Sequence, residues 1–239
     1  MKHLFLLAFV LFLFSCGENK TEVNTDSLRA DSALRAQTTI APPVAVNPDT
    51  QKMVALPPVF EGDIVLQISE DPQHVAFGKA CGSKYNHAGI IFIRPRDRLY
   101  VVMEMNDSVT ATPLTEWRDR GQGGHIALMR LKNSNQLLND KKTERLKKGA
   151  KAFRGVKQDY YYNWSDEALY STELVWKMYN NALKISICEP GKLGEWDLTG
   201  LLIHGQMLKK YGENVPKDEQ VVSPDAIYKS SKLEVIYER

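Results

Sequence analysis

Three residues of this 239-residue chain, Ser171, His87 and Glu104, have types and surroundings suited to acyl transfer. Leu174, Val175, Met178 and Ala182 follow Ser171 at offsets of three, four, seven and eleven, which places it on the buried stripe of a helix, at the N-terminal end. A nucleophile there would lie in the positive end of the helix dipole, which favours an ionising group. Serine is equally a favoured helix N-cap, so the same position suits a residue that only ties off the helix.

His87 and Glu104 stand in two apolar runs, His87 to Ile93 and Leu99 to Met105, separated by the polar Arg94-Pro95-Arg96-Asp97-Arg98. That pattern predicts a β-hairpin. With the turn centred between Arg96 and Asp97, His87 faces Asn106 and Gly89 faces Glu104, so His87, Glu104 and Asn106 share one face of the strand pair. A slip of one residue would turn Glu104 to the other side. An unpaired buried charge is costly, and a His–Glu hydrogen bond removes that cost. The bond would also fix the imidazole tautomer and leave the second ring nitrogen as a general base. A purely structural His–Glu pair fits the same residues. Acyl transfer also needs a donor for the developing oxyanion: the backbone N–H of Ser171 is the first candidate, with Gln67 and Tyr170 as further ones.

The elements that must position these groups follow from the remaining pattern. Gly62 to Ile68 and His125 to Leu131 read as strands, and Gln73 to Ala80 as a short helix. Further helices are predicted at 113–120, 138–153, 171–183 and 201–210. Strands with helices segregated outside an antiparallel sheet make this an α+β chain. Tyr160, Tyr161, Tyr162 and Trp164 precede the Ser171 helix and serve either as a cleft wall or as core.

At the N-terminus, Met1-Lys2-His3 precedes an apolar run from Leu4 to Phe14 that ends on Ser15-Cys16. A bilayer span needs about twenty apolar residues, so residues 1–15 read as a signal peptide. Leu13-Phe14-Ser15-Cys16 resembles the lipobox of bacterial lipoproteins, which implies lipidation of Cys16 and anchoring at the membrane of a bacterial cell envelope. Residues 16–56, rich in Thr, Asn, Ala, Pro and Asp, read as a flexible tether. Residues 57–239 have the length of one domain.

Loss of Lys2 with the signal peptide lowers the formal charge from +2 to +1. Near-neutrality argues against a nucleic-acid partner. The one basic stretch, Lys141 to Lys148, reads as a solvated helix face. No CxxC, HExxH or glycine-rich phosphate loop occurs, so neither a metal nor another cofactor is expected. Cys81 and Cys188 are expected to be free and buried. Nothing in the sequence sets an oligomeric state.

The ordered motifs extend these readings. Gly62-Asp63-Ile64-Val65-Leu66-Gln67-Ile68-Ser69, Tyr85-Asn86-His87-Ala88-Gly89, the Glu104 strand with Thr112-Pro113-Leu114, and Tyr170-Ser171-Thr172-Glu173-Leu174-Val175-Trp176-Lys177 occur in sequence, followed by Tyr211-Gly212 and Val222-Ser223-Pro224. In this the chain resembles the YiiX-like permuted hydrolases of the NlpC superfamily, relatives of papain-like and lecithin retinol acyltransferase enzymes. The resemblance covers the whole domain and implies a circularly permuted papain-like fold. It also implies base and orienter roles for His87 and Glu104, and a peptide or acyl-containing envelope substrate. It breaks at the nucleophile, where the family string carries cysteine and this chain carries Ser171. Three explanations compete: a working serine, a silent relative that binds the family's ligand, or a deliberate exchange. A hydroxyl, unlike a thiol of pKa about 8.5, must lose its proton during attack.

Overall fold

The computed structural model describes residues 56–239; the signal peptide, Cys16 and all but the last residue of the predicted tether lie outside the described residues. Ten strands occur there: β1 (Ile64–Ser69), β2 (His87–Ile93), β3 (Tyr100–Met105), β4 (Val109–Pro113), β5 (Gly121–Leu131), β6 (Lys157–Gln158), β7 (Ala168–Leu169), β8 (Gly191–Lys192), β9 (Gln220–Val221) and β10 (Leu233–Glu238). The α-helices are α1 (Pro72–Ala80), α2 (Leu114–Asp119), α3 (Ser134–Leu137), α4 (Asp140–Ala152), α5 (Ser171–Leu183), α6 (Leu201–Tyr211) and α7 (Pro224–Tyr228).

Six strands form one antiparallel sheet in the order β10-β5-β1-β2-β3-β4. Side chains alternate across it because strand geometry has a period of two. On one face, Leu66, Ala88, Ile90 and Met105 pack with Leu174, Val175 and Met178 of α5. On the other, Val65, Ile91, Val102, Ile126 and Leu128 pack with Leu114 and Trp117 of α2. The sheet is therefore covered on both sides, as the continuous apolar runs of β1 and β2 require.

The β2–β3 register is the expected one: Gly89 pairs with Glu104 and Ile93 with Tyr100. Its far end differs. The ladder stops at Glu104, and Asn106 is exposed in the turn into β4, with its N–H on Ser108 O. The return into β4 takes Asn106 out of the strand, so Asn106 does not face His87. Gln67 of β1 is the residue that pairs with His87.

β4, α7 and β10 had no distinct signal in the sequence. The α5 helix matches its expected start and end. Cys81 and Cys188 are both free; Cys188 is buried and Cys81 only partly so. Of the aromatic run, Tyr162 is core, packed with Phe77, Tyr170 and Trp196, whereas Tyr160 is exposed.

Candidate active site

His87 is the first residue of β2, and it projects to the same sheet face as Gly89 and Ile91. Glu104 stands opposite Gly89, so the His87 and Glu104 side chains meet on a diagonal across the strand pair. A Cβ on residue 89 would come within 2.2 Å of Val102 Cγ1 and 2.9 Å of Met103 O. Glycine is thus required there for β3, with its carboxylate, to lie this close.

His87 Nε2 lies 2.8 Å from Glu104 Oε2, with both side chains buried. The other carboxylate oxygen accepts from Thr112 Oγ1 on β4 and from the Arg120 guanidinium, which follows α2. Burial alone would raise the Glu104 pKa, but the hydrogen bonds from His87 and Thr112 and the electrostatic pull of His87 and of the Arg120 guanidinium outweigh it and hold the group at about 2. Glu104 is therefore an ionised, acceptor-only carboxylate, and His87 Nε2 must carry the hydrogen between them. The other ring nitrogen, Nδ1, is buried without a hydrogen-bond partner.

Two further rings stack on His87. The His74 centroid of α1 lies 4.1 Å away at an interplanar angle of 20°, and Trp117 of α2 lies 5.7 Å away at 28°. His74 Nδ1 is 2.9 Å from Ser69 Oγ. Burial first, and the neighbouring His87 second, press the His74 pKa down to about 2, so this ring is neutral. An open cleft of about 730 Å³ borders the cluster, and Ser69, Asn86, Lys79, Lys84 and Gln122 line it.

Ser171 is buried at the first helical position of α5. Tyr170 holds the N-cap position, and its N–H is 3.4 Å from Glu173 Oε2. The serine therefore does not tie off its own helix. The residues on either side of it grip one backbone unit: Tyr170 Oη accepts from Val222 N–H at 2.8 Å, and Thr172 Oγ1 donates to Val222 O at 2.5 Å. The Val222-Ser223-Pro224 string is thereby tied to the segment that carries Ser171. The Ser171 hydroxyl is not hydrogen-bonded to His87 Nδ1. Because α5 packs on the sheet face opposite to Glu104, the two approach the His87 strand from different sides.

Of the weaker candidates, Gln67 donates its side-chain amide to Trp117 O at 2.5 Å, and Gly121 leaves the room for it. Tyr170 turns its hydroxyl into the protein, to Val222, and Asn106 stays in solvent. His74 and Arg120 were not read from the sequence as site residues, and Thr112 only as part of a motif.

Residues 59–237 match the family model described as a permuted papain-like amidase enzyme, YaeF/YiiX, C92 family. The chain belongs to this family of permuted papain-like amidases. It is 34% identical over 175 residues to the protein YiiX of Escherichia coli strain K12, covering 73% of this chain and 84% of that one. A crystal structure described as the metalloprotein yiiX from Escherichia coli O157:H7 superposes with a TM-score of 0.67 at 34% identity, covering 75% of this chain and 97% of that one. Membership of the YaeF/YiiX family fits the six-stranded antiparallel sheet and the helix that Ser171 opens.

Proposed function

We propose that this YaeF/YiiX member hydrolyses an amide or ester bond through an acyl-enzyme, with Ser171 as nucleophile, His87 as general base and acid, and Glu104 as orienter. The observation that carries the reading is the asymmetry of His87: one ring nitrogen is fixed on a buried carboxylate, and the other is buried with nothing attached. A structural His–Glu pair has no use for a buried lone pair, which costs about 1–3 kcal/mol when left unsatisfied.

In the proposed reaction, Ser171 Oγ bonds to the substrate carbonyl carbon as its proton passes to His87 Nδ1. The imidazolium so formed is stabilised by ionised Glu104. The backbone N–H of Ser171, at the open N-terminal turn of α5, faces the developing oxyanion. Collapse breaks the bond to the leaving amine or alcohol, which takes the proton from Nδ1. Water then enters by the same base catalysis, releases the acid and restores the serine.

One relative is described as a metalloprotein. In this chain no group of three or more His, Cys, Asp or Glu among the described residues is arranged around a common point. The planes of His74 and His87 lie within 20° of each other with centroids 4.1 Å apart, so no point at metal-ligand distance from a nitrogen of each lies in both ring planes. The donor set does not fit a metal centre of usual geometry.

A second reading has its own support. Ser171 is not bonded to His87, and serine stands where the family string carries cysteine, which favours a catalytically silent protein that binds an envelope ligand. A fluorophosphonate probe followed by intact-protein mass spectrometry separates the two. An adduct on Ser171 that disappears in His87→Ala supports the hydrolase. No adduct, with no turnover of activated esters or peptides, supports the binder.

We also propose that Cys16 is lipidated and tethers the domain to a membrane of the cell envelope, where peptide- or acyl-bearing polymers would be its substrates. Two or more acyl chains give stable anchoring. Detergent partitioning of the full chain against Cys16→Ala tests this; equal partitioning would remove the anchor from the account.

A further inference from the structure

We propose that His74 is a positioning residue for His87: its imidazole, pinned by Ser69, covers the ring of the base and holds it in the plane that keeps Nε2 on Glu104. This inference rests on the hydrolase reading above for its consequence in turnover, but not for its structural content.

His74 lies in the first turn of α1, whose N-cap Asp71 accepts from the N–H groups of Gln73 and His74. Those bonds fix the backbone beneath the ring. Ser69 Oγ lies 2.9 Å from His74 Nδ1 and also accepts from Asp71 N–H at 3.2 Å, so the ring's orientation is tied to the strand end. With centroids 4.1 Å apart and planes within 20°, rotation of His87 about its Cβ–Cγ bond would drive its edge into His74. Trp117 lies nearly parallel to the same ring. The charged groups that act on His74 are His87 of β2, Glu104 of β3 and Arg120 after α2. A second protonated imidazole stacked on His87 would oppose the imidazolium that acyl transfer requires. Burial keeps His74 neutral instead, so it adds cover without competing for the proton.

The test uses the full chain and two readouts. Imidazole nitrogen shifts of His87 report its tautomer. Turnover of an activated ester reports kcat and KM. His74→Phe keeps a stacked ring, so the Nε2-protonated tautomer of His87 should stay dominant and kcat should hold within about threefold. His74→Ala removes that cover and frees the His87 ring to turn. Both tautomers should become populated, and kcat should fall about tenfold with KM little changed. His74→Leu replaces alanine if the smaller side chain unfolds α1. An unchanged His87 tautomer in the ringless variant overturns the proposal, as does a His74→Phe that is as damaging as His74→Ala. If Ser171 proves inert, the hydrolase reading fails while the nitrogen shifts still decide the role of His74.

Discussion

The hydrogen bond from His87 Nε2 to Glu104 Oε2, at 2.8 Å, decides which nitrogen of the imidazole is available for chemistry. Both partners are buried, and Thr112 and Arg120 hold the second carboxylate oxygen. Removing the carboxylate leaves His87 Nε2 without its acceptor and Arg120 without its anion. Glu104→Ala should therefore destabilise the domain by about 3 kcal/mol, the lower end for breaking a buried pair, because Arg120 is partly exposed. Glu104→Gln should retain most of the fold yet lower kcat at least about a hundredfold, since an amide can present its N–H to Nε2 and select the wrong tautomer. Urea unfolding and ester turnover read the two effects separately.

The same carboxylate sets an acid limit. Its pKa in the fold, about 2, lies below its ordinary value of 4.5, so the unfolded chain takes up a proton that the folded one refuses. The stabilisation is complete above about pH 4.5 and is lost as the pH falls toward 2. Unfolding free energies measured across that window should drop less steeply for Glu104→Gln than for the parent chain. Parallel curves would mean that Glu104 is not the group that titrates.

Glu173 works in the opposite direction. It is buried, and Lys177 Nζ lies 2.8 Å from its Oε1, yet that amine directs its hydrogen bonds to Ser165 O and Asp166 Oδ1. Burial therefore dominates over the neighbouring charge and raises the Glu173 pKa to about 8. The folded protein keeps a proton that the unfolded chain releases near 4.5, so this contribution is full below about pH 4.5 and drains as the pH rises toward 8. Glu173→Gln, which is neutral at every pH, should flatten the loss of stability between about pH 5 and 8. A parent curve already flat there would contradict the assignment.

How much of this arrangement the sequence disclosed depends on how local the cause is. The β2–β3 register follows from two apolar runs and one polar turn, and that pattern alone brings His87 and Glu104 to one face. The start of α5 at Ser171 follows from an apolar stripe of helical period. Asn106 shows where the same logic stops: alternation assigns a face but does not say where a strand ends, and the turn into β4 ends this one a residue too soon. His74, Thr112 and Arg120 reach the site from three other elements. Their positions depend on how α1, β4 and the end of α2 pack, which no short-range pattern encodes. The sequence offers Gln67 only as a further oxyanion donor; its pairing with His87 and its commitment to Trp117 O depend on how β1 and α2 meet β2.

Gly89 gives a packing test of the diagonal His87–Glu104 contact. In Gly89→Ala the new methyl would press on Val102 Cγ1 and Met103 O, both on β3. Overpacking of this kind costs about 1–3 kcal/mol. Moving β3 away would lengthen the reach from Glu104 to His87, so the Nε2-protonated tautomer of His87, read from its imidazole nitrogen shifts, should lose its dominance. A variant with full stability and an unchanged tautomer would show that the strand pair tolerates the methyl and that glycine here is incidental.

Ser171→Cys asks whether the rest of the site is intact. The new thiol would stand at the first helical position of α5, where the dipole favours a thiolate, on a segment held by Tyr170 and Thr172 to Val222. Two native cysteines among the described residues supply internal controls, because burial pushes both Cys81 and Cys188 up to about 12. At neutral pH, limiting iodoacetamide should therefore alkylate Cys at position 171 well ahead of both, and faster still than in the same variant carrying His87→Ala. Turnover of an activated thioester or ester should rise at least about tenfold over the parent chain, since a thiol of ordinary pKa near 8.5 ionises far more readily than a hydroxyl. Alkylation no faster than at Cys81, together with no gain in turnover, would mean that His87 does not act on position 171, and the noncatalytic binding reading would then stand.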